Sequence, residues 1–382
     1  MKNLGFILLF VLATLSTYAQ QNPASYQNTN SANRLISSGI NGVTVGGYAQ
    51  IDYNQPLDGS NGKADVHRLV MLFGYNFSQD VQFVTEIEFE HVTEVYVEQA
   101  FLNYNLTSFL SFRGGLMLVP MGIINEYHEP TTYNGVERPN VDKSIVPTTW
   151  REMGFGVTGN ISDLSLRYQG YLFNGFASDN NGKYLGGSNG LRNGRQKGAE
   201  AMVGKPNFST KFDYYGIQGL KLGLSGYFGS SVADNEVKDE DGSTVGISML
   251  GLDARYVYSK FSARAQYIKT YISGAEAYNE FYGSDLGDQM EGWYVEGAYN
   301  VLPANKTQEL TFFMRYEQYN TQQVTSGDLQ PNLAYDRMDL TTGVGYLVAR
   351  GAVIKADYQR FMNGVPDSEA KGQMNFGIGV WF

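Results

Sequence analysis

Cysteine is absent from this 382-residue chain, which excludes a disulfide framework, a thiolate metal site and a lipidated N-terminal cysteine. Proline is scarce at 10 residues, and four of these (Pro120, Pro130, Pro139, Pro147) crowd one stretch of about thirty. Beyond residue 19 no apolar run approaches the ~18 residues a spanning helix needs. Basic residues are the minority, 28 Lys and Arg against 38 Asp and Glu for a net charge of −10. That balance disfavours nucleic acid as a partner, because phosphate backbones demand a basic face. The three histidines, His67, His91 and His128, fall on separate segments without metal-ligand spacing. No enzyme activity, metal or cofactor is therefore expected, and His128 is read as a loop hydrogen-bonder.

What the chain has in quantity is Tyr (28), Phe (22) and Gly (45), a mix that suits tightly packed strands with aromatic girdles. Lys2, an apolar run over 4–15 and small residues up to Ala19 read as a secretory signal over 1–19. Residues 20–41 are polar and aperiodic and read as a mobile leader. Residues 42–382 are then left for an exported protein without a transmembrane helix.

In that region about sixteen segments of roughly ten residues alternate apolar with polar side chains. They are read at 43–53, 66–77, 81–91, 95–106, 109–119, 153–160, 164–173, 201–215, 220–229, 245–258, 261–272, 293–301, 307–319, 338–348, 352–361 and 372–382. The connections alternate short and long, with one tight exception at 91–94. This cadence fits an all-β fold, a transmembrane antiparallel up-and-down barrel with short turns on one side of the membrane and long loops on the other. A soluble sandwich gives no reason for it. The last segment alternates Met374, Phe376, Ile378, Val380 and Phe382 on one face and ends on an aromatic, like the terminal strand by which outer-membrane barrels are recognised for insertion.

The longest connection, 120–150, has nowhere to go in a compact soluble domain, but a wide barrel offers its lumen. We expect it to fold inward. If apolar side chains meet lipid, their sequence neighbours face water inside. That rule places Glu86, Glu88, Glu90, Arg68, Arg113, Arg167, Asp253, Arg255, Arg264, Arg315, Glu317, Lys355 and Asp357 on the pore wall. Individually they read equally as pairs bracing the barrel; as a set they line a polar conduit. Arg151 and the Glu86–Glu90 ladder are expected on opposite walls of the narrowest section. Glu126, His128, Glu129, Glu137, Arg138 and Asp142 belong to the inserted loop. The facing of 95–106 is ambiguous, so Glu98 stays unassigned.

Three segments, EVYVEQAFLNY (94–104), LSFRGGLMLVPMG running into INEYHEPTTYNGVERP (110–139) and IVPTTWREMGFGVTG (145–159), resemble the phosphate-selective porin O and P family of Gram-negative outer membranes. The resemblance implies a sixteen-stranded barrel, a homotrimer in outer-membrane lipid, and a third outer loop, here 120–150, that forms the constriction. Passive diffusion of small hydrophilic solutes or ions is the function it implies. The acids of the ladder and insert suggest weak cation preference or little charge selection. Two other readings stand beside it: a barrel anchor or accessory subunit of a surface complex with an occluded lumen, and a soluble secreted β protein.

Overall fold

A computed structural model of the chain describes residues 30, 32, 35, 36 and 42–382. The expected signal segment lies outside the described residues, as does most of the leader. Sixteen strands follow in order: β1 (Gly42–Pro56), β2 (Lys63–Asn76), β3 (Val81–Glu90), β4 (Glu94–Asn105), β5 (Ser111–Leu118), β6 (Arg151–Ile161), β7 (Leu166–Phe173) and β8 (Asn207–Ile217). The second half comprises β9 (Leu220–Ser230), β10 (Gly246–Tyr258), β11 (Phe261–Ser273), β12 (Gln289–Asn300), β13 (Glu309–Val324), β14 (Asp336–Ala349), β15 (Ala352–Asn363) and β16 (Lys371–Trp381).

Each strand pairs antiparallel with its neighbours in sequence, and β1 meets β16 with Tyr48 opposite Trp381, closing the barrel. Closure pairs every strand edge, the condition under which β-structure survives in hydrocarbon. Tight turns such as Arg350-Gly351 alternate with long loops at 119–150, 174–206, 231–245 and 274–288.

Strand alternation sorts the side chains as read from the sequence. Val43, Val45, Ile51, Phe376 and Ile378 point outward and are exposed on the isolated chain, while Tyr48, Gln50, Asp52 and Asn375 are buried inside. Arg68, Glu86, Glu88, Asp253, Arg255, Arg264, Arg315, Glu317, Lys355 and Asp357 are all buried on the inner side. A basic side chain turned to lipid at the midplane would cost roughly 2–4 kcal/mol. The apolar core is likewise internal, where Val70, Leu72, Phe101, Ile247 and Ile268 meet Ile123, Val141 and Ile145 of the long connection. Leu35, in a helical turn of the leader, is part of the same core. It sits against Gly74, where an added methyl would lie 3.4 Å from its Cβ.

Three local differences from the sequence reading have plain causes. Strand β8 begins at Asn207 rather than near 201, directly after Pro206, which has no N–H to donate. Strand β3 stops at Glu90, because His91 and Val92 take positive φ (51° and 68°) to make the tight outer turn. Strand β4 carries a bulge: Glu86 faces Gln99 and Ile87 faces Val97, leaving Glu98 as the extra residue. The inner face therefore changes parity there. Tyr96 precedes the bulge on that face, and Gln99, Phe101 and Asn103 follow it, so neither single register fits the segment.

Candidate pore constriction

The connection from β5 to β6 is a loop with a clamped neck. Val119 N donates to Trp150 O at 3.0 Å. Asn125 holds both ends, its amide donating to Val119 O (2.7 Å) and Trp150 O (2.8 Å) while its Oδ1 accepts from Trp150 N (2.7 Å). Gly122, at φ 65°, turns the chain through the left-handed region that glycine enters without cost. Trp150 stacks on Phe176 at 4.6 Å and meets Tyr227 at 4.7 Å, fixing the neck against the next long loop and β9.

Within the neck the loop is buried and bonded to inner side chains around the whole barrel. Ile123 N donates to Gln266 of β11 (2.6 Å), Asn134 to Glu296 of β12 (2.8 Å), Val141 N to Glu317 of β13 (3.1 Å) and Asn140 to Asp339 of β14 (2.8 Å). Lys355 of β15 donates to Gly135 O (2.8 Å), Asn54 of β1 to Glu137 (2.7 Å) and Gln169 of β7 to Glu126 (2.8 Å). Partners on opposite sides of a closed wall are reachable only from within it. These bonds also satisfy backbone groups that burial would otherwise leave costly. Small inner residues make the room: a Cβ at Gly377 would fall 2.9 Å from Val136, and one at Gly379 would fall 2.9 Å from Pro130. Between the loop and β10–β12 the gap lined by Ile123, Tyr127, Arg255, Arg264 and Glu296 holds about 10 Å³, room for about one water.

Most inner charges are paired. Arg264 and Arg315 share Glu296 (3.0 and 3.3 Å), and Arg315 also holds Glu317 (2.8 Å). Arg255 lies 3.4 Å from Asp213 and 3.7 Å from Asp253, with its guanidinium 4.7 Å from the Tyr127 ring. Lys211 meets Glu126 at 3.0 Å. Arg113 bonds Asn103 (2.8 Å), and Arg167 stands opposite Asp213 in the ladder. Asp142 accepts from Gln266 (2.9 Å), and burial pushes its carboxyl up to about 7. Lys211, Asp213 and Glu296 were not singled out in the sequence, although alternation with Phe212 and Val295 places them inside.

The bulge assigns Glu98. Its carboxylate is fully buried, accepts from Tyr48 (3.1 Å), and lies 3.3 Å from His128 Nε2. Arg151 is 3.9 Å from its other oxygen and its guanidinium lies over Tyr96. Arg151 is thus on the same wall as the Glu86–Glu90 ladder and not opposite it, because only β4 and β5 separate β6 from β3. Arg68 reaches the backbone carbonyl of His128.

At the end of the barrel that carries the long loops, Arg138 and Lys143 meet Arg192, Arg195 and Lys197 of the 174–206 loop. Arg192 bonds the Lys143 and Thr148 carbonyls, and Arg195 those of Pro147 (3.0 Å) and Thr149 (2.9 Å). None of the five makes a carboxylate ion pair among the described residues. Burial first, and then the mutual repulsion of these cations, lowers Arg192 to about 10 and Lys197 to about 8, and lowers Lys143 and Arg195 as well. Glu90 and Glu129 complete the acidic side, the first half-buried and the second buried.

Gly186-Gly187-Ser188-Asn189-Gly190 has the letters of a nucleophile elbow, but it forms a 3₁₀ turn in a loop and not the strand-to-helix turn that chemistry needs.

The comparisons agree with this architecture. An uncharacterized protein of Aquifex aeolicus (strain VF5) is 33% identical over 340 residues, covering 84% of this chain and 76% of that one. An anion-selective porin from Comamonas acidovorans shares the fold at TM-score 0.60 and 11% identity, over 89% of this chain and 99% of its own. In-vitro folded OmpT of Vibrio cholerae, in its trimer form, does so at TM-score 0.54 and 12% identity, over 90% and 100%. The family model for phosphate-selective porin O and P matches residues 43–361, and the chain belongs to that family of outer-membrane porins.

Proposed function

We propose that this outer-membrane porin passes small hydrophilic solutes by diffusion through a narrow path around the 120–150 loop, and that its entrance favours anions. The observation that carries this is the group of five cations at the loop-bearing end, two of them (Arg192 and Arg195) anchored on backbone carbonyls and none in a carboxylate ion pair among the described residues. Clefts of one sign focus field lines and raise the local concentration of counter-ions. Further in, Glu126, Asp213, Glu296 and Glu317 are paired with lysines and arginines, which weakens the cation preference suggested by the acids of the ladder and insert. The family description makes phosphate the first solute to test, and the likeness to an anion-selective porin supports the same order. A homotrimer in outer-membrane lipid is the assembly proposed, supported by the trimeric form of the Vibrio cholerae neighbour. In this reading the chain is a conduit and not a catalyst.

The test is a reversal potential across a salt gradient in planar bilayers. Anion preference supports the reading; cation preference overturns the entrance assignment.

The density of bonds to the inserted loop favours one second reading, a surface-complex anchor whose lumen is closed. Liposome swelling separates the two, since a closed barrel passes no solute.

A further inference from the structure

We propose that Glu86, Glu98 and His128 form a binding site for a divalent transition-metal ion, which ties the inserted loop to the barrel wall. One ligand atom from each of the three lies within 4.8 Å of the others, and all three side chains are buried, at 2%, 0% and 2% exposure. An ion bound tetrahedrally at about 2.1 Å holds its ligand atoms about 3.4 Å apart. His128 Nε2 and Glu98 Oε2 already stand at 3.3 Å.

The histidine is oriented for the task. Its Nδ1 lies 3.0 Å from the Asn125 carbonyl, which can only accept, so the proton is on Nδ1. In the neutral ring the Nε2 lone pair then faces Glu98, the arrangement in which a backbone carbonyl fixes the tautomer of a metal-ligating histidine. Asn125 is the residue that clamps the neck of the loop, so the ring's position is tied to the loop's closure.

The carboxylates are also prepared. Glu86 Oε2 is buried and accepts no hydrogen bond among the described residues, while Glu98 Oε2, the oxygen beside His128, accepts from Tyr48 and its Oε1 lies 3.9 Å from Arg151. The β4 bulge turns Glu98 and Gln99 inward together, and Gln99 hydrogen-bonds Glu86. Charge points the same way. Glu86, Glu88, Glu98 and Glu129 act on one another, against the two guanidiniums of Arg68 and Arg151. Four buried carboxyls thus stand beside two guanidiniums, acidic surroundings that favour a bound cation. A nitrogen and carboxylate oxygens suit zinc, manganese or iron(II), whereas calcium takes six to eight oxygens.

The rival explanation is a proton: an imidazolium bridging Glu98 with no ion. Full-length protein purified in detergent, stripped with chelator and titrated with Zn²⁺ or with Co²⁺ read by its visible bands distinguishes them. We expect one ion per chain and a loss of affinity of about tenfold or more in H128Q and in E86Q, with E90Q unchanged. Heat-modifiable migration on gels shows that each variant still forms the barrel. Absence of saturable binding to the wild type at neutral pH overturns the proposal. So does binding that survives H128Q, or a His128 ring that stays doubly protonated by ¹⁵N NMR with Zn²⁺ present.

Discussion

Lys211 Nζ lies 3.0 Å from Glu126 Oε2, joining β8 to the inserted loop by an ion pair on the inside of the barrel. Burial opposes the Glu126 charge, but the ammonium beside it outweighs that and holds its carboxyl below the ordinary range. Removing one partner of such a pair strands the other, at a cost of about 3–5 kcal/mol. Lys211→Met should therefore loosen the loop, seen as added single-channel noise or faster proteolysis between 120 and 150. Glu126→Gln in the same chain should restore much of the order. Because the folded value is depressed, this contribution is full above the unfolded pKa of about 4.3 and is lost as pH falls through the folded value.

Asp142 behaves in the opposite sense. Burial raises its carboxyl to about 7, so the loop's packing there is most favourable below the unfolded value of about 3.9 and weakens as pH rises through about 7. Hydrogen exchange of amides 141–146, corrected for intrinsic rates, should show less protection at pH 8 than at pH 5. Asp142→Asn should flatten that difference.

The basic entrance predicts a change of selectivity. Unit charges about 8 Å apart in water interact by about 0.5 kcal/mol, roughly a twofold change in local ion concentration per charge. Lys143→Glu with Lys197→Glu should move the reversal potential toward cations, and the shift should shrink in high salt.

Glycines on β16 make space for the loop. Gly379→Val should overpack Pro130 and destabilise the loop by about 1–3 kcal/mol, read as protease sensitivity between 120 and 150. Gly345→Val, where the nearest atom to an added Cβ is Val353 at 3.8 Å, should be tolerated.

Which parts of this were legible in the chain follows from the range of the forces involved. Alternation is local, so Val43, Glu88 and Arg315 could be placed on their faces without knowing the fold. The bulge at Glu98 could not, because an extra residue is defined by its pairing with Glu86 and Ile87 on β3. His128 looked isolated because its neighbours Tyr48 and Glu98 come from distant strands, and sequence spacing carries no trace of contacts made across a lumen. The basic entrance was hidden for a similar reason: Lys143 and Arg192 belong to different loops, and their meeting is set by carbonyls and not by charge pattern. Arg151 was placed on the wrong wall because strand order, not sequence distance, decides who faces whom.

The inserted loop is the element proposed to set passage, and single-channel conductance of a chain lacking residues 126–143 in planar bilayers tests this most directly. We predict a large increase in conductance with weakened ion selectivity. Conductance and selectivity equal to those of the intact chain would contradict it.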